Sequence, residues 1–239
     1  MVPVGSEVFL DGEAVARAGV ERLIAATSGE GMGSVCLSGG STPKRMYSLL
    51  ASEEFAGRVA WDRIHWWWGD ERFVAPSDKS SNEAMVRGAM FDHVTVDSGL
   101  VHPFWTVGVG LEESAAAYGR ALRVFAAGPR AGRPLFDLVL LGIGDDGHTA
   151  SLFPGKPAVE EGHHWVMPVP EAGLSPFIPR LTLTLPALAN SAGVVFLAVG
   201  EGKRAMLGRV AAGERLPAGR VTCAGGVSWL VDRAAAGEV

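Results

Sequence analysis

The segment Phe136–Ile143 constrains the fold more than any other in this chain. It reads FDLVLLGI, a nearly unbroken stretch of Leu and β-branched residues. A strand with one face in water alternates apolar and polar side chains. A strand without that alternation is covered on both faces, as strands are inside a parallel sheet flanked by helices. The rest of the chain fits such a sheet. Short strands are predicted at Ser6–Leu10, Ser34–Leu37, Ile64–Trp68, Trp165–Val169, Leu181–Leu185, Gly193–Val199 and Val227–Val231. Amphipathic helices are predicted between them, over Ala14–Ala26, Pro43–Ala51, Glu112–Ala126 and Lys203–Ala212. Strands alternating with helices define an α/β fold with a largely parallel sheet.

Composition narrows the function. Charged residues make up 20% and apolar residues 48% of the 239, a globular balance. The net charge is -5 and no Lys/Arg run occurs, so no nucleic-acid partner is expected. An anionic ligand would then need a local cluster of cations. Two cysteines, Cys36 and Cys223, rule out a disulfide scaffold and fit a reducing compartment. His65, His93, His102, His163 and His164 show no ligand spacing, so no metal is expected. The N-terminus carries Asp11 and Glu13 early and lacks the pattern of a signal peptide. The uncharged stretch Leu181–Gly200 is interrupted by Thr182, Thr184, Pro186, Asn190 and Ser191. It reads as strand, turn, strand rather than a membrane span. A soluble cytoplasmic protein without a membrane partner is expected.

In a parallel sheet, ligands bind beyond the carboxyl ends of the strands. That rule selects the loops after Leu37, Trp68, Ile143, Leu185 and Val199. The first holds Gly39, Gly40, Ser41 and Thr42 ahead of Pro43. Glycines admit close approach of a ligand, and a helix start favours phosphate. The alternative is a plain turn with Thr42 as N-cap. The second loop, WGDERF, places Asp70 as a base or orienting carboxylate and Arg72 as an anion clamp. A solvated turn with self-paired charges is the alternative there. Ser81 and Asn82 follow, as helix cap or substrate contact. The third loop, Gly142 to Gly155, contains the dinucleotide pattern G-x-G-x-x-G. That reading is rejected: Asp145 and Asp146 would repel a pyrophosphate, and Pro154-Gly155 cuts the following helix short. What remains is a glycine loop presenting Asp146 and His148, a pairing that suits a general base. The last candidates are cations. Arg180 heads a predicted strand, as an anion contact or as a surface strand-end charge, and Lys203 stands at a helix start, where a cation opposes the helix dipole unless an anion is bound.

Five segments together resemble one family, 6-phosphogluconolactonase, which acts second in the oxidative pentose phosphate pathway. They are LSGGSTPKRMY (37–47), WWGDERFV (67–74) with SN (81–82), FDLVLLGIGDDGHTASLFPG (136–155), RLTLTLPALANSA (180–192) and GEGKRAML (200–207). The resemblance implies a single Rossmann-like α/β domain over residues 1–239, similar to glucosamine-6-phosphate deaminases and ribose-5-phosphate isomerases. It implies hydrolysis of 6-phospho-D-glucono-1,5-lactone without a cofactor, by a monomer or homodimer. The family's base falls on His148, with Asp70 and Asp146 as further catalytic carboxylates. Substrate and phosphate contacts fall on Gly39, Gly40, Ser41, Thr42, Arg72, Asn82, Gly144, Arg180 and Lys203. Asp145 stands where the family commonly has Glu, which keeps the charge. Two rivals follow. One is a sugar-phosphate isomerase or deaminase, but those deaminases carry a Glu five residues after the His, where this chain has Phe153. The other is a non-catalytic sugar-phosphate sensor, for which the chain has no spare length to hold a DNA-binding segment.

Overall fold

The computed structural model describes residues 1–238. In chain order its elements are β1 (Ser6–Phe9), α1 (Gly12–Thr27), β2 (Gly33–Leu37), α2 (Ser41–Leu50), β3 (Ile64–Trp68), β4 (Asp70–Arg72), α3 (Asn82–Ala89), β5 (Val101–His102) and α4 (Leu111–Ala127). They continue with β6 (Leu138–Leu141), β7 (Val166–Val169), β8 (Arg180–Leu183), α5 (Leu185–Ala189), β9 (Val194–Ala198), α6 (Arg204–Ala211), β10 (Val227–Asp232) and α7 (Arg233–Ala236).

Seven strands form one sheet in the order β1-β10-β9-β6-β2-β3-β5, and every pairing in it is parallel. This is the parallel α/β sheet expected from the strand–helix alternation, in the Rossmann-like arrangement that the resemblance implies. The run FDLVLLGI supplies β6, with all four strand residues buried. Its one charged residue, Asp137, lies just before the strand. There it accepts from Arg130, which is 0% exposed, at 2.6 and 3.0 Å, and from the Ser34 N–H at 2.8 Å. That buried pair joins the amino ends of β2 and β6. The three tryptophans of β3 cover both faces of the sheet. Trp66 stacks on Trp61, while Trp67 stacks on His102 and meets Tyr118 edge-on. Helix α1, capped by Asp11 accepting from the Ala14 N–H at 2.9 Å, packs against β2, β6, β9 and β10.

The ligand crevice follows from the strand order. Counting from β2, the chain builds outward through β3 and β5 on one side. From β6 it builds through β9 and β10 on the other. The loops after β2 and β6 therefore diverge, and a cleft opens between them at the switch point.

The structure departs from the expectations in several places. Asp70–Arg72 is not a turn but a strand, and it pairs antiparallel with β8. With β7 these two strands make a second, three-stranded sheet. The predicted strand Leu181–Leu185 ends at Leu183, and Leu185–Ala189 is a short helix, so the uncharged stretch reads strand, helix, strand. Helix α2 starts at Ser41, two residues before Pro43. Gly40, not Thr42, holds its N-cap position. Lys203 is the N-cap residue of α6 rather than its first helical residue. Of the two readings of Ser81, the helix cap holds: its hydroxyl accepts the Ala84 N–H at 3.1 Å at the start of α3, whose extent the sequence reading did not give, and the two-residue β5 was not foreseen. Among the described residues no helix is long and apolar enough to cross a membrane.

Candidate active site

A cavity of about 340 Å³ lies at the switch point. Its walls are the loop after β2, the β4–β8 pair, the loop after β6, and the Val199–Lys203 segment after β9. Gly39, Gly40, Ser41, Thr42, Asp70, Arg72, Asn82, Gly144, His148, Arg180 and Lys203 all line it. Asp146 does not line it and stands behind His148 instead. The expected loop after Leu185, which is helix α5, takes no part, because β8 runs antiparallel to β4 and offers its amino end to the cavity.

The loop after β6 is held by its own backbone. The Gly144 N–H donates to the His148 carbonyl at 2.9 Å, and the Gly147 N–H to the Gly144 carbonyl at 3.0 Å. The Thr149 hydroxyl closes the loop onto the Gly142 carbonyl at 2.9 Å. This fold places the Asp146 carboxylate 2.6 Å from His148 Nδ1, and the same oxygen accepts the His148 N–H at 3.0 Å. A carboxylate at Nδ1 fixes the proton there and leaves the Nε2 lone pair free. The Phe153 ring packs 4.6 Å from the imidazole. Gly144 makes the arrangement possible, since a Cβ at that position would overlap the His148 ring.

The second sheet supplies the cations. Arg72 and Arg180 are direct cross-strand partners. Like charges facing each other in this way repel. Neither Nε atom has a hydrogen-bond partner, although both are buried. Arg72 spends one amino group on the Ser80 carbonyl at 2.6 Å. Arg180 is 7% exposed and rests over the Phe153 ring, and burial draws its guanidinium below the usual arginine value. Two desolvated guanidiniums with unused donors fit an anionic ligand. The third cation, Lys203, donates to Asp145 at 2.7 Å, and that contact holds Asp145 below the ordinary carboxylate range. At the adjoining wall, no side chain caps the amino end of α2, so its first N–H groups remain available to an anion.

Asp70 is buried among donors. Its Oδ2 accepts the Ser151 hydroxyl at 2.6 Å, and its Oδ1 lies 3.3 Å from Asn82 Nδ2. Asn82 also donates to the Asp70 carbonyl at 2.9 Å. Gly39 leaves room for this amide, because a Cβ there would overlap Asn82 Oδ1. The neighbouring Glu71 belongs to the scaffold. It accepts the N–H groups of Arg72, Asn82 and Glu83, each at 2.7 Å, and the Ser81 hydroxyl at 3.0 Å, fastening the start of α3. Burial still pushes its carboxyl up to about 7, against those donors. Cys36 lies fully buried below, with its thiol pushed up by burial, and supplies no thiolate. Sequence reasoning missed Ser151 and Thr182. Both lie inside segments that carry the resemblance, 136–155 and 180–192, but their roles come only from the packing of β4 on β8, which gives them partners. Among the described residues no group of three or more His, Cys, Asp or Glu side chains could hold a metal.

Fold and cavity define a Rossmann-like α/β protein with a cleft lined by Arg72, Arg180 and Lys203 at the switch point of its sheet. The chain belongs to the family described as glucosamine-6-phosphate isomerases/6-phosphogluconolactonase, whose model matches residues 12–229. It is 38% identical over 218 residues to a 6-phosphogluconolactonase of Synechocystis, covering 90% of this chain and 88% of that one. It is 34% identical to a 6-phosphogluconolactonase of Mycobacterium tuberculosis, covering 98% of this chain and 97% of that one. Among solved structures, the 6-phosphogluconolactonase of Trypanosoma brucei superposes with a TM-score of 0.85 at 30% identity, covering 99% of both chains. A monomeric glucosamine-6-phosphate deaminase superposes at 0.82 but is only 19% identical, which shows the shared fold.

Proposed function

We propose that this chain hydrolyses 6-phospho-D-glucono-1,5-lactone to 6-phospho-D-gluconate, the lactonase step of the oxidative pentose phosphate pathway. The observation that carries this reading is the Asp146–His148 pair at 2.6 Å, set in a cavity that also holds Arg72, Arg180 and Lys203. The relatives named as 6-phosphogluconolactonases support it. His148 Nε2 takes a proton from water, and the water oxygen attacks the lactone carbonyl carbon. Asp146 stabilises the imidazolium that forms. Backbone N–H groups of the glycine loops hold the developing oxyanion. The bond from the carbonyl carbon to the ring oxygen then breaks, and His148 returns its proton to that oxygen. A positioned base is worth about 10²–10⁴-fold, enough for a lactone that already opens slowly in water. Arg72, Arg180 and Lys203 hold the phosphate and the negative charge of the substrate, with Ser41 and Thr42 at the start of α2. Asp70 and Asn82 orient the sugar hydroxyls.

The deaminase reading lacks its acid. The position five residues after His148 is Phe153, which is 1% exposed and packed on the imidazole. The cavity draws on both sheets, which supports treating residues 1–239 as one domain. A phosphorylated sugar is a cytoplasmic metabolite, so the reading carries that location with it. The test is turnover of freshly generated 6-phosphogluconolactone, with spontaneous opening subtracted. A protein-dependent rate is expected. A rate equal to the blank from folded protein, or turnover of glucosamine 6-phosphate instead, contradicts the reading.

A further inference from the structure

We infer that Ser151 is a positioning residue for the reaction: its hydroxyl fixes Asp70 in the cavity and ties the histidine loop to the second sheet. This rests on the lactonase reading above. Ser151 is completely buried, yet its side chain spends its only proton on Asp70 Oδ2, at 2.6 Å across 81 residues of sequence. Its backbone N–H donates to Thr182 Oγ1 at 3.1 Å, and Thr182 is the cross-strand partner of Asp70. Three segments therefore close on one another: the loop that carries His148, strand β4 with Asp70, and strand β8 with Arg180.

The backbone between His148 and Ser151 shows that this closure is imposed. Ala150 lines the cavity with φ at 48°, a left-handed conformation that a residue with a Cβ adopts at a cost. It turns Ser151 inward beneath Asp70 while His148 stays at the cavity. The hydroxyl also decides which carboxylate oxygen is occupied. Oδ2 is taken by a strong, charge-assisted bond. Oδ1 has only a 3.3 Å contact with Asn82 and keeps its capacity for a substrate hydroxyl. Removing the Ser151 hydroxyl frees the carboxylate to rotate, so the sugar is held less well in line with the water on His148.

The experiment is a double-mutant cycle on the full chain. Ser151→Ala is expected to lower kcat by about ten- to a hundredfold, a misplacement effect, with KM changed less than threefold. In the Asp70→Ala background the same substitution is expected to change kcat less than twofold, because the partner of the hydroxyl is gone. Ser151→Cys keeps the size and weakens the donor. It gives the same fall in kcat and serves if the alanine variant does not fold. Equal losses in both backgrounds, or an undiminished kcat in the single variants, overturn the assignment. Wild-type turnover in the same assay separates the two levels: active wild type with active Ser151→Ala overturns only Ser151, and inactive wild type overturns the lactonase reading and this inference together.

Discussion

At the scale of single residues, the site depends on what is left out as much as on what is present. Gly144 and Gly39 each stand where a methyl group would overlap a functional side chain, the His148 ring and the Asn82 amide. Gly144→Ala is therefore expected to displace the imidazole from Asp146 and lower kcat on the order of a hundredfold, with the fold intact by circular dichroism. An unchanged kcat would show that the imidazole has freedom the packing denies it. The Asp146–His148 pair was legible in the sequence because both residues sit two apart in one glycine loop, so short-range geometry alone brings them together. Ser151 and Thr182 were not legible. Their roles come from partners 81 and 31 residues distant, and no local pattern encodes those distances. Glu71 was read within a group of charges, but it is a buried acceptor for the N–H of Arg72 in β4 and for the N–H groups of Asn82 and Glu83 at the start of α3.

At the scale of elements, the parallel sheet was legible and the second sheet was not. Strands covered on both faces, such as β6 and β9, appear as continuous apolar runs, and β3 appears as three tryptophans. Strand β4 has the opposite character: Asp-Glu-Arg is all charge over three residues, and its stability comes from pairing with β8 rather than from propensity. The pair β3–β5 makes a prediction of its own. His65 Nδ1 and His102 Nε2 lie 2.9 Å apart, and His102 stacks on Trp67. Burial first, and then the neighbouring His65, lowers His102 from 6.5 to about 4. Its unfolded form binds a proton more readily than its folded form. The stability this gives is full above pH 6.5 and is lost as pH falls towards about 4. The melting temperature should fall across that window, and His102→Phe, which keeps an aromatic stack and removes the titration, should flatten part of the fall. A slope unaffected by the substitution would place the acid sensitivity elsewhere.

At the scale of the whole molecule, a chain of net charge -5 builds a cavity that gathers three cations. The gathering is topological. Loops diverging from β2 and β6 open the crevice, and the antiparallel β4–β8 pair turns Arg72 and Arg180 into it from outside the parallel sheet. Two facing guanidiniums with unbonded Nε atoms are a cost to the empty protein that an anion removes. Inorganic phosphate or 6-phosphogluconate should therefore raise the melting temperature, by the equivalent of about 2.7 kcal/mol at a hundred times Kd. Arg180→Ala should lose most of that shift and raise KM for the phosphorylated lactone far more than for unphosphorylated gluconolactone. Equal effects on the two lactones would remove Arg180 from the anion site. The most direct test of the whole account is steady-state turnover of fresh 6-phosphogluconolactone by the wild-type chain and by His148→Ala, with spontaneous hydrolysis subtracted. A clear wild-type rate, with kcat lowered by about 10²–10⁴-fold in the variant and KM little changed, is the predicted result. A His148→Ala protein that turns over the lactone as fast as the wild type would contradict it.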